Sequence, residues 1–386
     1  MNIASVVPYF VFSGTYLLIG GLISRLFTHF EDLVKANEAG HLKALDGLRG
    51  FLALGVFFTH SIFYYGYFQT GKWGGTNLAT FYVMTGQVSV ALFFQITAFL
   101  FWTKVIKSNG NFDVRIFYIS RIRRLVPMYA VSVLLAFIVI FVVSDFTLNV
   151  KASQMLKEMR AWLSFGFIEN GTVNGVEDAH TIEAVYWTLA YEWAFYIALP
   201  FLALFAGGVR FALLVVIVVF YGVSMPLTLN FLCGAIAAQI VHKYDLRHWM
   251  RHWWVAAAAI IVLAFLFYAF DTAYGILQPL LLMLFLICIL YGNGLFDLLM
   301  SRGAQVLGAI SYSIYLVHCI TLYVVLHAID HFSRIADMPD VTFWACIGGC
   351  GCLAIIISAI TYRYVEHPFM HPISLDSLKA RTSAPT

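Results

Sequence analysis

The chain has 386 residues, of which 61% are hydrophobic and only 11% charged, with a formal net charge of +3. Soluble domains run about 45–50% apolar and about 25% charged, so the composition excludes an ordinary soluble protein. The small, scattered charge gives no footing for nucleic acid. What remains is an all-α polytopic membrane protein.

A helix crosses the roughly 30 Å hydrocarbon core in about 20 residues. Apolar runs of that order lie at 5–27, 48–68, 78–102, 125–143 and 185–206. Between 209 and 241 the run is broken by Ser224 and Pro226; a proline inside a helix removes a hydrogen bond and clashes with the preceding turn, so two short spans are expected there. Runs at 253–270, 275–291, 306–328 and 341–364 bring the total to about eleven spans.

No Lys or Arg precedes Arg25, so the first run lacks the basic start of a signal peptide and reads as a true span with its N-terminus outside. All but five of the 23 Lys and Arg then fall on the cytoplasmic side, the exceptions being Lys72, Lys151, Lys157, Arg160 and Arg334. That is the positive-inside asymmetry, and it places the C-terminus in the cytoplasm. The longest loop, 144–184, falls outside; its middle, KASQMLKEMRAWLSFGFI, has a helical apolar period suited to the membrane surface. Asn170, Gly171 and Thr172 form a glycosylation sequon. The six cysteines sit inside apolar runs without a CxxC and read as small buried residues; no metal site is expected.

Ionisable side chains within a membrane mark functional sites by default. In LDGLRGFLALGVFFTH, Arg49 stands at the cytoplasmic end of the second span and His60 eleven residues later. At 1.5 Å per residue His60 and His318 each lie about 18 Å from the cytoplasmic face, and Glu192, on a span running inward, about 20 Å from it. Two imidazoles and a carboxylate thus reach a common depth. The competing explanation for either histidine is one hydrogen bond to a neighbouring helix.

Arg49 invites two readings: a topology anchor with Asp46 as N-cap, or an anion site completed by Arg121, Arg123 and Arg124 in RIRR, just before Pro127. Guanidinium groups bind phosphate bidentately. Tyr186, Trp187, Tyr191 and Trp193 around Glu192 suit either sugar stacking or the interfacial aromatic belt.

These residues resemble the acyltransferase 3 family, integral-membrane O-acyltransferases of bacterial cell-surface polysaccharides. The hallmark is an arginine followed, after ten residues, by a histidine, here Arg49 and His60. FYISRIRRLVPMY (Phe117 to Tyr129), YWTLAYEWAFYIALP (Tyr186 to Pro200), GAISYSIYLVH (Gly308 to His318) and YRYVEHPF (Tyr362 to Phe369) follow in the family's order. Two departures stand out: Thr97, Ala98 and Phe99 replace the usual Ser-Gly-aromatic, and Trp193 follows Glu192 where a second polar residue is common.

The resemblance implies a ten-helix core over 45–370, preceded by an extra span and linker at 1–44 and followed by a cytoplasmic tail at 371–386. It implies a bacterial inner-membrane enzyme that takes an acyl group, acetyl first, from cytoplasmic acyl-CoA to a hydroxyl of an outward-facing or lipid-linked glycan. Eleven helical residues span about 16 Å, roughly the reach of a pantetheine arm, so Arg49, Arg121, Arg123 and Arg124 would hold the coenzyme phosphates while the thioester sits beside His60. His60 is then the general base and Glu192 its orienting carboxylate. Ser311, Tyr312 or His318 would stabilise the oxyanion, and Tyr186 and Trp187 would meet the acceptor. A transporter or flippase for lipid-linked sugars is the alternative, and an inactive scaffold a third; neither gives the Arg49–His60 spacing a purpose.

Overall fold

The computed structural model describes residues 3–38, 42–74, 79–169 and 171–370. Asn170 of the sequon and the 371–386 tail lie outside the described residues. The chain runs through α1 (Val7–Leu26), α2 (Thr28–Glu38), α3 (Lys43–Thr70), α4 (Thr80–Lys107), α5 (Val114–Val143), α6 (Ala152–Trp162) and α7 (Tyr186–Leu202). It continues through α8 (Gly208–Gly222), α9 (Thr228–Lys243), α10 (Arg247–Met250), α11 (Trp253–Ala269), α12 (Gln278–Leu290), α13 (Arg302–Ala309), α14 (Ser311–Phe332) and α15 (Asp340–Thr361). Among the described residues there is no strand, only one isolated bridge between Val173 and Val176.

Every expected span meets a helix, but not every helix is long enough to cross. Seven helical stretches have the length and apolarity for it: α1, α3, α4, α5, α7 with its one-turn extension to Phe205, α14, and α15 extended to Phe369. The apolar helices α8, α11 and α12 are shorter; at 1.5 Å per residue they reach about 20–25 Å, less than the hydrocarbon core. Their large apolar side chains are exposed, Val209, Phe220 and Tyr268 by 87%, 77% and 91%. This is the outward-facing apolarity of a protein solvated by lipid. The surface segment predicted in the long loop forms α6.

Helix ends follow local chemistry, and three differ from the sequence expectation. Asp113 caps α5, its Oδ1 accepting from the Ile116 N–H at 2.9 Å; the helix starts there, and Pro127 lies inside it. RIRR is therefore part of the helix. Asp46 is not an N-cap: α3 begins at Lys43, one turn earlier. The tenth expected span is split at Ile310, with α13 capped by Ser301 and α14 starting at Ser311, so His318 is about 10 Å into its helix.

Two apolar cores divide the bundle. One gathers α4, α5, α7, α9 and α12; the other α1, α2 and α15. Helices α3 and α14 contribute to both and pack against each other, so the functional side chains lie at the seam. The first span is no appendage: Tyr16 is fully buried and donates to the carbonyls of Ile347 and Gly348 in α15.

The approach of α13 to α3 depends on glycine. A Cβ at Gly308 would fall on the Asp46 carbonyl oxygen, and one at Gly47 on that of Leu299. Backbone cannot yield as a side chain does, so Gly308→Ala is expected to destabilise the protein by about 1–3 kcal/mol and to shift the turn carrying Arg49. Thermal unfolding in lipid nanodiscs checks this; an unchanged transition would mean that the helices separate freely.

Candidate functional site

Two cavities lie back to back. The first, about 530 Å³, is lined by Arg49 from α3, Arg121, Arg123 and Arg124 from α5, Glu192 from α7, and Ser311 and Tyr312 from α14. Arginines far apart in sequence thus converge as expected, but with different duties. Arg121 lies 4.7 Å from the Phe101 ring centroid, a cation–π geometry that holds its plane. Arg123 donates to the Phe369 carbonyl at 3.1 Å. Arg124 pairs with Glu366 at 2.9 Å, and the second Glu366 oxygen accepts from Ser313 at 2.9 Å. Arg49 has only a loose partner, Asp46 at 3.8 Å, and Arg121 donates to Ser120 Oγ at 3.1 Å while its Nε has no partner among the described residues, so both retain donors for an anion.

Glu192 does not orient His60. Its carboxylate accepts from the Tyr196 hydroxyl, one turn on, and it lies within electrostatic reach of Arg121, Arg49 and Arg124. Thr188, one turn earlier on α7, lines both cavities, whereas Glu192 lines the arginine cavity alone. That single turn, about 6 Å, separates the two environments. Tyr312 is also on the arginine side and donates to the Leu125 carbonyl at 3.0 Å. The buried Ser311 hydroxyl has no hydrogen-bond partner among the described residues.

The second cavity, about 520 Å³, contains His60, with Trp73, His180, Glu183, Tyr186 and Trp187 in its wall. His60 Nδ1 lies 2.9 Å from His318 Nε2, and His318 Nδ1 lies 3.0 Å from the Ile314 carbonyl. A carbonyl only accepts, so the His318 proton is on Nδ1 and its Nε2 is an acceptor. His60 must then donate from Nδ1, which leaves the His60 Nε2 lone pair bare. Cys319 Sγ, 3.4 Å from His318 Nε2, fits the same assignment as a weak donor.

The ligating atoms of His60, His318 and Cys319 all lie within 4.8 Å of one another. The 2.9 Å nitrogen separation is nevertheless that of a hydrogen bond. Tetrahedral ligation with bonds of about 2.0 Å would hold the nitrogens about 3.3 Å apart.

Val90, Thr188 and Tyr315 line both cavities, and Thr188 Oγ1 and Tyr315 Oη are 2.7 Å apart. This pair is the partition. On one side stands an unprotonated imidazole nitrogen, on the other a group of guanidiniums; the unbroken helix α3 carries His60 to the first and Arg49 to the second, and α5 supplies the other three arginines. Tyr186 and Trp187 fall in the His60 wall, while Tyr191 and Trp193 pack on Phe94 and Phe165.

A family model described as an acyltransferase domain matches residues 42–363. The chain belongs to the acyltransferase 3 family. The match covers the hallmark arginine and histidine, all four guanidiniums, Glu183, Glu192 and His318; α1 and α2 precede it. A curated relative of this acyltransferase, Nodulation protein 10 of Rhizobium leguminosarum bv. viciae, is 28% identical over 177 residues, 43% of this chain and 45% of that protein. The chain thus spans less than half the length of that relative. No solved structure matches.

Sequence reading missed Glu183, Trp73, His180 and Cys319 at the acyltransferase site. Glu183 stands two residues before the apolar run that begins α7, where an acid reads as loop charge. Cys319 was passed over as a small buried residue, although it follows His318 directly. Glu366 carried no assigned chemistry, yet it is the buried partner of Arg124.

Proposed function

We propose that this integral membrane acyltransferase moves an acyl group, acetyl in the first instance, from acyl-CoA in the cytoplasm to a hydroxyl of a glycan on the outer side. The observation that carries the reading is the pair of cavities meeting at Thr188 and Tyr315, with guanidiniums in one and the free His60 nitrogen in the other. The excess of Lys and Arg in the assigned inner loops supports an arginine cavity that faces the cytoplasm, and the family membership supports a bacterial inner membrane.

Arg49 and Arg121 receive the coenzyme phosphates, and the pantetheine arm runs along α3 to the partition. The acceptor hydroxyl enters beside His60. His60 Nε2 takes its proton as the oxygen attacks the thioester carbonyl. The resulting imidazolium keeps its Nδ1–H bond to His318, which spreads the charge toward the Ile314 carbonyl. When the tetrahedral adduct collapses, the carbon–sulfur bond breaks and the thiolate takes the proton from His60. Tyr315, at the partition, is the hydroxyl nearest the route of the carbonyl and is assigned the oxyanion. Glu192, through Tyr196, holds the arginine cluster in place.

The test is acetyl-CoA binding and thiol release by purified protein in nanodiscs. Arg49→Ala is expected to weaken acetyl-CoA binding about tenfold, the value of a charge-assisted hydrogen bond, while the fold is kept. Unchanged affinity would remove Arg49 from the donor site. Wild-type protein that binds and cleaves no acyl-CoA would favour a transporter for lipid-linked sugars.

A further inference from the structure

The wall of the His60 cavity has a consistent electrostatic character. Among its lining residues there is no Lys or Arg; its acids are Glu169 and Glu183, and its other titratable side chains are histidines and tyrosines. Glu183 is only 5% exposed, and neither of its carboxyl oxygens has a hydrogen-bond partner among the described side chains. The backbone N–H of Val185 is the one donor turned toward it. Leaving such a group unpaired is costly, and buried polar groups are otherwise satisfied almost without exception. A buried carboxyl in the cavity wall without a side-chain partner is a group that the hydroxyls of a bound ligand would satisfy.

The position of this carboxyl is built. The Tyr64 hydroxyl donates to the Thr181 carbonyl at 2.5 Å and lies 3.3 Å from the Cys319 carbonyl. This clamps the segment before α7 between α3 and α14. The titratable groups within electrostatic reach of Glu183 are Tyr64 from α3, Tyr129 from α5, Tyr186 from α7, and Tyr315 and Cys319 from α14. None is a cation. Flat apolar faces complete the wall: Trp73 stacks on His60 at 6.1 Å with an 18° interplanar angle, and Trp187 is 37% exposed.

We propose that the His60 cavity receives an uncharged sugar ring, with Glu183 bridging two neighbouring hydroxyls and Trp73 or Trp187 covering the apolar face of the ring. This rests on the acyltransferase reading, and it narrows the acceptor to neutral glycans, excluding uronates and phosphorylated sugars. A carboxyl spans a vicinal diol with its two oxygens, each hydroxyl finding an acceptor. Burial pushes the Glu183 carboxyl well above the ordinary carboxylate range, which favours the protonated form, both donor and acceptor, as a polyol requires. An anionic ring would enter a poorly solvated space with no cation to meet it.

The test reads binding without any acyl donor, so it is separate from the acyltransferase assay. Saturation-transfer NMR is recorded with phenyl β-D-glucoside and phenyl β-D-glucuronide on the full chain in lipid nanodiscs. Transfer to the pyranose ring protons of the glucoside is expected, with the glucuronide weaker by about tenfold. Glu183→Leu should lose the glucoside signal to a similar extent, while Glu183→Gln, which still offers a donor and an acceptor, should keep most of it. Thermal unfolding of both variants establishes that they are folded. No ring transfer in the wild type, equal transfer from both probes, or an unchanged signal in folded Glu183→Leu would each overturn the proposal. Sugar binding beside an absence of thiol release from any acyl-CoA would instead retain the sugar site and overturn the acyltransferase reading.

Discussion

His60→Ala is expected to lower thiol release and acyl transfer by about 10²–10⁴-fold, the range of a positioned general base, with donor affinity kept. The side chain is 8% exposed and meets His318 through Nδ1 alone, so its removal takes away the one nitrogen free to accept the acceptor proton. Two variants of His318 grade the effect. In His318→Gln the amide oxygen can accept from His60 Nδ1 while its N–H₂ donates to Ile314, so activity should largely persist. His318→Leu offers neither contact and leaves the Val56 carbonyl, one turn back, as the remaining acceptor for the His60 ring N–H. Its rate should fall by about tenfold, roughly the value of one lost hydrogen bond to the charged imidazolium. Equal rates in the Gln and Leu variants would show that His318 does not stabilise the imidazolium; an active His60→Ala enzyme would remove the base.

The second large effect is on stability. Glu366 is fully buried and Arg124 is 15% exposed. Arg124→Met leaves a buried carboxylate with only Ser313 for company, which should cost about 3–5 kcal/mol. The double change Arg124→Met with Glu366→Leu should recover most of that loss, because an apolar pair of similar volume is often no worse than the ion pair. Thermal unfolding of the two variants in nanodiscs decides it. Failure of the double change to recover, or a stable single variant with poor acyl-CoA binding, would return Arg124 to the donor site where the sequence placed it.

The helices were legible because an apolar run of about 20 residues is an unambiguous physical signal, and all four arginines of the hallmark and RIRR do share a cavity. Counting residues gave depth, and depth was enough to anticipate that two histidines from α3 and α14 could meet. It could not resolve a single turn. Glu192 shares a helix face with Thr188 but lies about 6 Å further along α7, which puts it on the arginine side of the partition, where Tyr196 and the arginines hold it. The start of α5 was hidden because Asp113 and the basic residues after it resemble a loop, and only the cap at Ile116 reveals a helix. Glu183 was illegible for a different reason. Its importance comes from the absence of partners around it, and a sequence does not record which neighbours are missing.

The partition at Thr188 and Tyr315 has an electrical consequence. On the proposed orientation the acyl carbon need only change partners where the two cavities touch, so neither substrate has to be carried across. The hydroxyl proton, however, is collected on one side of that contact and delivered with the thiol on the other. That proton moving inward is matched by an acyl cation equivalent moving outward. The alcohol and its ester carry the same charge on one side, the thioester and its thiol on the other, so a full turnover is electroneutral. A membrane potential, which acts only on net charge moved through its field, then gives the reaction no driving force, and energised and depolarised vesicles should reach the same extent of acylation at the same substrate concentrations.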